Sequence, residues 1–256
     1  MAELEIHQFP CLSDNYGVLI RDAAAGVCAS IDAPETDAVK KALADKGWTL
    51  THILTTHHHG DHTDGNLPLK EETGCKIIGP KGEAAKVRGI DEAVGEGDTF
   101  RFGNFEVQVF DTPGHTAGHI TYYIPAAKVA FCGDTIFAMG CGRVFEGTME
   151  QMWTSLEKIA KLPKDTTLYC GHEYTQANAD FAMTIEPGNA ALQARVEEVK
   201  ALRAKGAPTL PTTVEKELAT NPFIRVDSAE IRERLGLQGA ADWEVFAEVR
   251  ERKNRG

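Results

Sequence analysis

The segment at residues 55–62 reads Thr-Thr-His-His-His-Gly-Asp-His and carries the residue types that bind metal ions. Imidazole nitrogens and carboxylate oxygens are common protein ligands of zinc, and iron and manganese accept them as well. The segment follows a strand-like stretch at 51–55, and in an extended chain alternate side chains point to the same side. The spacing therefore predicts His57 and His59 as one pair of ligands, with His58 pointing away from them.

A second pair of ligands follows directly in the same segment. Gly60 permits a sharp turn of the backbone, after which Asp61 and His62 point to a new position. A zinc ion needs about four ligands, and a catalytic zinc ion keeps one position for water. Because two pairs cannot complete two such sites, further ligands are expected later in the chain.

Three later residues could supply the missing ligands. They are His115, Asp134 and His172, each preceded by a glycine and each following a strand-like stretch. Ligand sites commonly form at the ends of strands, where loops leave the sheet. A carboxylate such as that of Asp134 can bridge two cations through its two oxygens. The seven residues together therefore predict a dinuclear metal site.

The elements that position these residues change character along the chain. Strand-like stretches alternate with helical ones through the first two thirds, with helices expected at 36–46 and 149–162. The last third is mostly helical and ends in a helix expected at 242–253. The sequence predicts a β-rich domain over residues 1–174 that carries the metal site, and a smaller helical, substrate-binding domain over residues 175–256.

The composition excludes several classes of protein. The net charge of −11 argues against a protein that binds nucleic acid or docks on an anionic membrane. No stretch is apolar and long enough to span a membrane, and the N-terminus lacks the pattern of a signal peptide. The six cysteines are scattered and form no Cys-x-x-Cys motif. We therefore expect a cytoplasmic protein with reduced thiols.

Longer motifs carry a family resemblance that runs over nearly the whole chain. The segment His-x-His-x-Asp-His, with Gly-His-Thr at 114–116 and Gly-Asp at 133–134, resembles the metallo-β-lactamase superfamily. A narrower resemblance, to the hydroxyacylglutathione hydrolases (glyoxalase II), rests on longer motifs. These include Gly-Cys-Gly-Arg-Val-Phe-Glu-Gly-Thr at 140–148, Thr-Asn-Pro-Phe at 220–223 and Arg-x-x-Lys at 250–253.

The resemblance implies a fold, a reaction and a set of metal ligands. The fold is of class α+β, a four-layer αββα sandwich followed by a helical domain. The reaction is hydrolysis of S-D-lactoylglutathione to glutathione and D-lactate, the second step of methylglyoxal detoxification. Carried over by position, the resemblance assigns His57, His59 and His115 to one ion, Asp61, His62 and His172 to the other, and Asp134 to both. Asp61 and Asp134 thereby position a bridging hydroxide, and the two divalent ions are expected to be zinc, with iron or manganese as alternatives.

Such a centre suits thioester hydrolysis on general chemical grounds. Two cations about 3.5–4 Å apart lower the pKa of a shared water toward about 7, which yields a hydroxide, and a metal ion stabilises the developing oxyanion. The leaving thiolate, with an ordinary pKa of about 8.5, needs little help from a general acid. The reaction therefore needs no nucleophilic side chain, and the cysteines are expected to be inert.

Glutathione carries two carboxylates, so an acidic protein that binds it needs local positive charge. Arg250 and Lys253 are three residues apart and share one face of the last helix. The resemblance makes them contacts of the glycine end of glutathione, although a solvated charged face is the alternative. Arg143 and Phe145 match a further contact, where other members have lysine and tyrosine. Tyr174 matches a tyrosine whose hydroxyl could donate to the peptide.

Several alternatives remain open at this point. Asp32 either orients a metal-bound histidine or serves the N-terminus of the helix at 36–46. The alternative function is another metal-dependent hydrolase of the superfamily, or a glutathione-persulfide dioxygenase with one iron, which the complete ligand set disfavours. A redox diiron member is disfavoured because it carries glutamate where His59 stands. A non-catalytic metal-binding module is a third class. The only expected partner is the small-molecule substrate, and a monomer is expected.

Overall fold

The structure is a computed structural model that describes residues 3–256. The chain forms two compact units. Unit 1 comprises the described residues up to Asp111 together with Thr116–Gly133, and unit 2 comprises Thr112–His115 and Asp134–Gly256.

The first sheet of unit 1 has six strands in sequential order. They are β1 (Glu5–Cys11), β2 (Asn15–Asp22), β3 (Val27–Ile31), β4 (His52–Leu54), β5 (Lys76–Pro80) and β6 (Glu92–Val94). The first three strands pair antiparallel, whereas β3 to β6 pair parallel. Parallel neighbours need crossover connections, and the helices α1 (Thr36–Lys46) and α3 (Asn66–Thr73) provide two of them. The short helix α2 (Gly60–Thr63) lies between β4 and α3.

Both faces of this sheet are buried. Leu19, Ile53 and Ile77 belong to a core cluster that also contains Val39 and Leu43 of α1. The neighbouring strand residues, which point to the opposite face, are buried as well: Ile20, Leu54 and Ile78 are at most 3% exposed. A sheet that is buried on both faces has a layer on each side.

A second, antiparallel sheet provides the other layer. In unit 1 it consists of β7 (Thr99–Phe102), β8 (Phe105–Asp111), β9 (Ile120–Ile124) and β10 (Val129–Phe131), in the order β10-β9-β8-β7. The fully buried Tyr122 of β9 donates from its hydroxyl to the carbonyls of Thr55 at 2.8 Å and Ile78 at 3.2 Å. These bonds fasten the second sheet to the first. Unit 1 therefore stacks a layer of helices and two sheets.

Unit 2 is mostly helical, as the sequence predicts for the last third of the chain. It contains the strand pairs β11 (Ile136–Phe137) with β12 (Gly140–Cys141) and β13 (Thr167–Tyr169) with β14 (Thr212–Thr213). Its helices are α4 (Met149–Ala160), α5 (Thr175–Ile185), α6 (Ala190–Arg203), α7 (Val214–Thr220), α8 (Ala229–Leu235) and α9 (Asp242–Arg255). A capping box of Thr148 and Gln151 starts α4, which packs against α9.

The helices expected at 36–46, 149–162 and 242–253 are confirmed as α1, α4 and α9. All six cysteines are buried thiols, and burial raises the pKa of five of them: Cys11, Cys28, Cys75, Cys132 and Cys141. A protonated, buried thiol is a poor nucleophile, as expected for inert cysteines. Over residues 3–256, no helix has the length and apolar character needed to cross a bilayer.

Candidate metal centre and substrate cavity

Unit 1 carries four of the seven predicted ligands: His57 and His59 on the loop from β4 into α2, and Asp61 and His62 in α2. His57 Nε2 lies 3.2 Å from His59 Nδ1. Two nitrogens bound at 2.0–2.1 Å to one tetrahedral zinc ion lie about 3.3–3.4 Å apart. The two imidazoles therefore have the spacing of neighbouring ligands on one metal ion, and they face each other as the alternation along the segment predicts.

The second pair in unit 1 is held by a side chain from β2. His62 Nε2 lies 3.7 Å from Asp61 Oδ2, slightly wider than the spacing of the first pair. Asn15 Nδ2 donates to the carbonyl oxygen and to Oδ2 of Asp61, both at 3.1 Å. The amide of Asn15 thus fixes the orientation of the Asp61 carboxylate.

Asp32 orients His62 and does not cap a helix. Its Oδ2 lies 2.8 Å from His62 Nδ1, which leaves Nε2 of that ring facing Asp61. Thr56 donates to the Asp32 carboxylate from its backbone nitrogen at 2.7 Å and from its hydroxyl at 2.9 Å. Glu35, and not Asp32, is the N-cap residue of α1. The reading of Asp32 as a helix cap is therefore wrong, and the contact to a ligand histidine is the one present.

His58 points away from the ligand pair toward a glutamate that the sequence analysis did not single out. The backbone nitrogen and Nδ1 of His58 both lie 2.8 Å from Glu83 Oε2. The other oxygen of Glu83 accepts from the backbone nitrogen of Gly118 at 2.8 Å. Glu83 is only 2% exposed, so it anchors the middle of the histidine run. Nothing in the sequence around Glu83 signals this role.

Replacing Asp32 by alanine is expected to weaken zinc binding roughly 10–100-fold, because His62 loses the partner that fixes its ring. Competition with a chromophoric chelator measures the affinity. Asp37→Ala, in the first turn of α1, is the matched control and should bind zinc as the wild type does. An Asp32→Ala protein that is folded and binds zinc with unchanged affinity would contradict the orienting role.

In unit 2, one carboxylate oxygen faces two histidines. Asp134 Oδ2 lies 3.4 Å from His115 Nε2 and 3.3 Å from His172 Nε2, and all three residues are buried. These spacings again match neighbouring ligands on a metal ion. The sequence analysis expected Asp134 to bridge through its two oxygens. In the structure the oxygen near both imidazoles is Oδ2, and the bridging role of Asp134 stays a prediction.

The segment Thr112–His115 is fixed by contacts within unit 2. Ser155 of α4 donates to the carbonyl of Pro113 at 2.7 Å, and Gly147 donates to the carbonyl of Gly114 at 3.1 Å. Gly114 has a φ of 141°, and a Cβ there would lie 2.7 Å from Met152. His115 Nδ1 lies 2.9 Å from the carbonyl of Arg143, which turns its Nε2 toward Asp134.

A cavity of about 450 Å³ in unit 2 brings together metal ligands and the predicted substrate contacts. Its lining includes His115 and Asp134 and all five predicted substrate contacts: Arg143, Phe145, Tyr174, Arg250 and Lys253. Asn178, Phe137, Ala177, Cys141 and Gly142 complete the lining, and the sequence analysis did not single them out. Its volume is in the range of small-molecule sites.

Two aromatic side chains of this cavity are partly open to solvent. Tyr174 is 39% exposed and stacks on His172 with ring centroids 4.7 Å apart. Phe145 is 60% exposed, and its ring centroid lies 5.3 Å from that of His115. Both rings therefore lie beside predicted metal ligands and offer apolar faces to a bound molecule.

Arg250 is buried, so it does not belong to a solvated helix face. It is 3% exposed, donates from Nη1 to the carbonyl of Cys141 at 3.0 Å, and lies over the ring of Phe223 at 5.1 Å. Lys253 donates from Nζ to Asn178 Oδ1 at 2.6 Å. Burial, with a further contribution from the charge of Arg250, lowers the pKa of Lys253 to about 8.

Buried side chains bind the backbone of the cavity wall from Phe137 to Cys141. The carbonyls of Phe137 and Gly140 accept from Asn221, that of Ala138 from Asn178 and that of Cys141 from Arg250, while the amide of Met139 donates to Glu217. Asn221 lies in the Thr-Asn-Pro-Phe motif. The motif therefore supports the cavity wall and does not line the cavity.

The sequence matches two family models that together cover most of the chain. A model described as the metallo-β-lactamase superfamily matches residues 26–172, and one described as the hydroxyacylglutathione hydrolase C-terminus matches residues 173–256. Curated relatives from Brucella ovis and Brucella abortus, each named hydroxyacylglutathione hydrolase, are 59% identical to this chain. The similarity covers 98% of this chain and 98% of each relative.

Solved structures share the fold. ETHE1 from Myxococcus xanthus is 27% identical with a TM-score of 0.69, and the similarity covers 98% of this chain and 91% of that one. The BLEG-1 B3 metallo-β-lactamase is 20% identical with a TM-score of 0.65, covering 86% of this chain and 99% of that one. The predicted α+β class is confirmed. The chain belongs to the metallo-β-lactamase superfamily and, within it, to the hydroxyacylglutathione hydrolase family.

Proposed function

We propose that the protein is a metal-dependent thioester hydrolase that cleaves S-D-lactoylglutathione, and related S-2-hydroxyacylglutathiones, to glutathione and the free hydroxy acid. The observation that carries the proposal is the cavity in unit 2. Buried ligand types, His115 and Asp134, and the cations Arg143, Arg250 and Lys253 line the same space. A substrate with carboxylates at one end and a reactive carbonyl at the other matches such a lining.

The donor set fits a pair of divalent cations. Each unit presents imidazole nitrogens and carboxylate oxygens at or near the spacing of neighbouring ligands. We propose that His57, His59 and His115 hold one ion, that Asp61, His62 and His172 hold the other, and that Asp134 contacts both. Zinc is the first candidate for this nitrogen-rich set, followed by iron and manganese. When bound, such ions supply a nucleophile of lowered pKa and a Lewis acid for the carbonyl.

Side chains of the protein would orient the substrate and the metal-binding residues. Arg250 and Lys253 would hold the glycine carboxylate of glutathione, and Arg143 would add a further positive charge. The hydroxyl of Tyr174 can donate to the peptide, whereas Phe145 offers only an apolar contact because it has no hydroxyl. Asp61 and Asp134 would fix the reactive groups relative to each other, as their contacts to Asn15 and to two histidines suggest.

We also propose that two successive domains of the chain supply different parts of the site. Residues 1–174 would carry all the metal ligands, and residues 175–256 would supply the cationic clamp of Arg250 and Lys253. The two matching family models meet at residues 172 and 173, which supports this boundary. Six buried thiols suit a reducing compartment, so we propose a cytoplasmic location. We also propose that the protein is a monomer. Cell fractionation and light scattering test these two points.

The purified, metal-loaded protein is expected to hydrolyse S-D-lactoylglutathione. Loss of thioester absorbance should occur together with the appearance of one thiol per thioester cleaved, and metal analysis of the same sample should identify the ions. Absence of turnover in fully loaded protein would contradict the proposal. Oxygen uptake with glutathione persulfide, in place of thioester cleavage, would favour the dioxygenase alternative.

A further inference from the structure

The side chain of Lys253 lines the cavity of unit 2, and its ammonium lies over an aromatic ring. Its Nζ lies 5.0 Å from the ring centroid of Phe181 on α5. At its tip, the ammonium donates to Asn178 Oδ1 at 2.6 Å and lies 3.4 Å from the carbonyl of Ala177. A charge-assisted hydrogen bond of this kind is stronger than one between neutral groups. Asn178 is therefore the main polar contact that holds the ammonium.

The side-chain amide of Asn178 can adopt only one orientation. Its Nδ2 donates to the carbonyl of Ala138 at 3.0 Å, and a carbonyl can only accept. The amide oxygen must therefore face Lys253, which can only donate. Asn178 is 2% exposed, and a Cβ at Gly140 would lie 2.3 Å from its Nδ2. The packing against Gly140 leaves the amide no room to turn.

Burial and the charged groups around Lys253 set the pKa of its ammonium. Burial and the neighbouring charge of Arg250 both lower the pKa of Lys253, whereas Cys141 and Asp180 raise it to a smaller extent. These groups come from α9, β12 and α5, the elements that pack around the ammonium. With a pKa of about 8, a change in any one contact shifts the protonated fraction in the neutral to mildly alkaline range.

We propose that Asn178 is a positioning residue for substrate binding, because its amide oxygen accepts from the Lys253 ammonium and holds it at the lining of the cavity. Asn178 need not touch the substrate. It acts through Lys253, and in turn fixes the wall segment at Ala138 through its Nδ2. The inference rests on the proposed function, since it takes the carboxylate of a glutathione thioester as the group that Lys253 binds.

Two substitutions of similar size separate this role from a purely structural one. Leucine at position 178 removes the oxygen that accepts from Lys253, so Asn178→Leu lowers the pKa of the ammonium further. Aspartate adds a negative charge, so Asn178→Asp raises that pKa. In the wild type, KM for S-D-lactoylglutathione should rise above about pH 8, where Lys253 loses its proton. The rise should begin at lower pH in Asn178→Leu and at higher pH in Asn178→Asp.

Steady-state kinetics from about pH 6.5 to about pH 9.5 measure these shifts. At neutral pH both variants should raise KM roughly three- to tenfold with kcat nearly unchanged, since a substrate-binding contact is weakened. Gln193→Ala, an exposed residue of α6 whose side chain donates to the carbonyl of Pro187, is the control and should keep the wild-type profile. In a Lys253→Met background, Asn178→Leu should have little further effect on KM.

The result that overturns the proposal is a pH profile of KM that does not move, or that moves in the same direction in both variants. A fall in kcat at unchanged KM in the two Asn178 variants would also overturn the proposal. Calorimetric binding of glutathione to the same proteins separates this inference from the proposed function. If the wild type bound glutathione with opposite pH shifts in the two variants but cleaved no thioester, the role of Asn178 would stand and the proposed reaction would fall.

Discussion

Asp134→Ala is expected to lower kcat for thioester hydrolysis by at least roughly a thousandfold. Its Oδ2 lies within 3.4 Å of His115 Nε2 and 3.3 Å of His172 Nε2. Removing that oxygen takes a ligand from both proposed ions, and metal stabilisation of a reacting carbonyl amounts to several kcal/mol. Turnover of S-D-lactoylglutathione measures the loss.

Metal analysis distinguishes loss of the centre from loss of the fold. Asp134→Ala should hold fewer than two ions per chain and still unfold cooperatively on heating. Asp45→Ala, an exposed aspartate of α1 that pairs with Lys41, is the control and should keep the metal content and rate of the wild type. A rate for Asp134→Ala within tenfold of the wild type would remove Asp134 from the proposed centre.

The two cations of α9 that line the cavity, Arg250 and Lys253, are expected to differ when each is replaced by alanine. Lys253→Ala should raise KM roughly ten- to a hundredfold with kcat maintained, because it removes binding that substrate and transition state share. Arg250→Ala should raise KM as well, and should also lower the free energy of unfolding by about 1.5–3 kcal/mol. The difference follows from burial: Arg250 is 3% exposed and its loss leaves the carbonyl of Cys141 without a buried charged donor, whereas Lys253 is partly exposed.

Chemical denaturation combined with steady-state kinetics measures both effects. Arg252→Ala is the matched control on the same helix, since Arg252 pairs with Glu248 and does not line the cavity. It should change neither KM nor stability by a large amount. Equal stability losses for Arg250→Ala and Lys253→Ala, or a collapse of kcat at unchanged KM for Lys253→Ala, would contradict the assigned roles.

The sequence predicted the class of fold and the imidazole and carboxylate groups of the predicted metal site. The directions of the side chains at 55–62 follow from the local sequence, because alternation along an extended chain places His57 and His59 on one side and His58 on the other. The helices α1, α4 and α9 follow from local apolar spacing and from local end signals such as Gly47. These features depend on neighbours within a few residues, so the order of the amino acids is sufficient to reveal them.

The tertiary structure decided which atoms face each other. Asp32 and His62 are 30 residues apart, Asn178 and Lys253 are 75 apart, and Arg250 and Cys141 are 109 apart. No local pattern links such pairs. Glu83 and His58, which are in contact, are likewise 25 residues apart. No local pattern predicts that Oδ2 is the oxygen of Asp134 near His115 and His172.

The sequence by itself therefore determined the fold family, the donor types of the predicted metal site and the presence of cations that could bind an anionic substrate. Only the tertiary structure determined that Arg250 is buried, that Asn178 holds Lys253, and that Asp32 orients His62 and does not cap α1. The physical reason is that donor chemistry and periodicity are properties of residue type and spacing. Burial, ring orientation and the partner of each polar atom arise only when distant segments pack together.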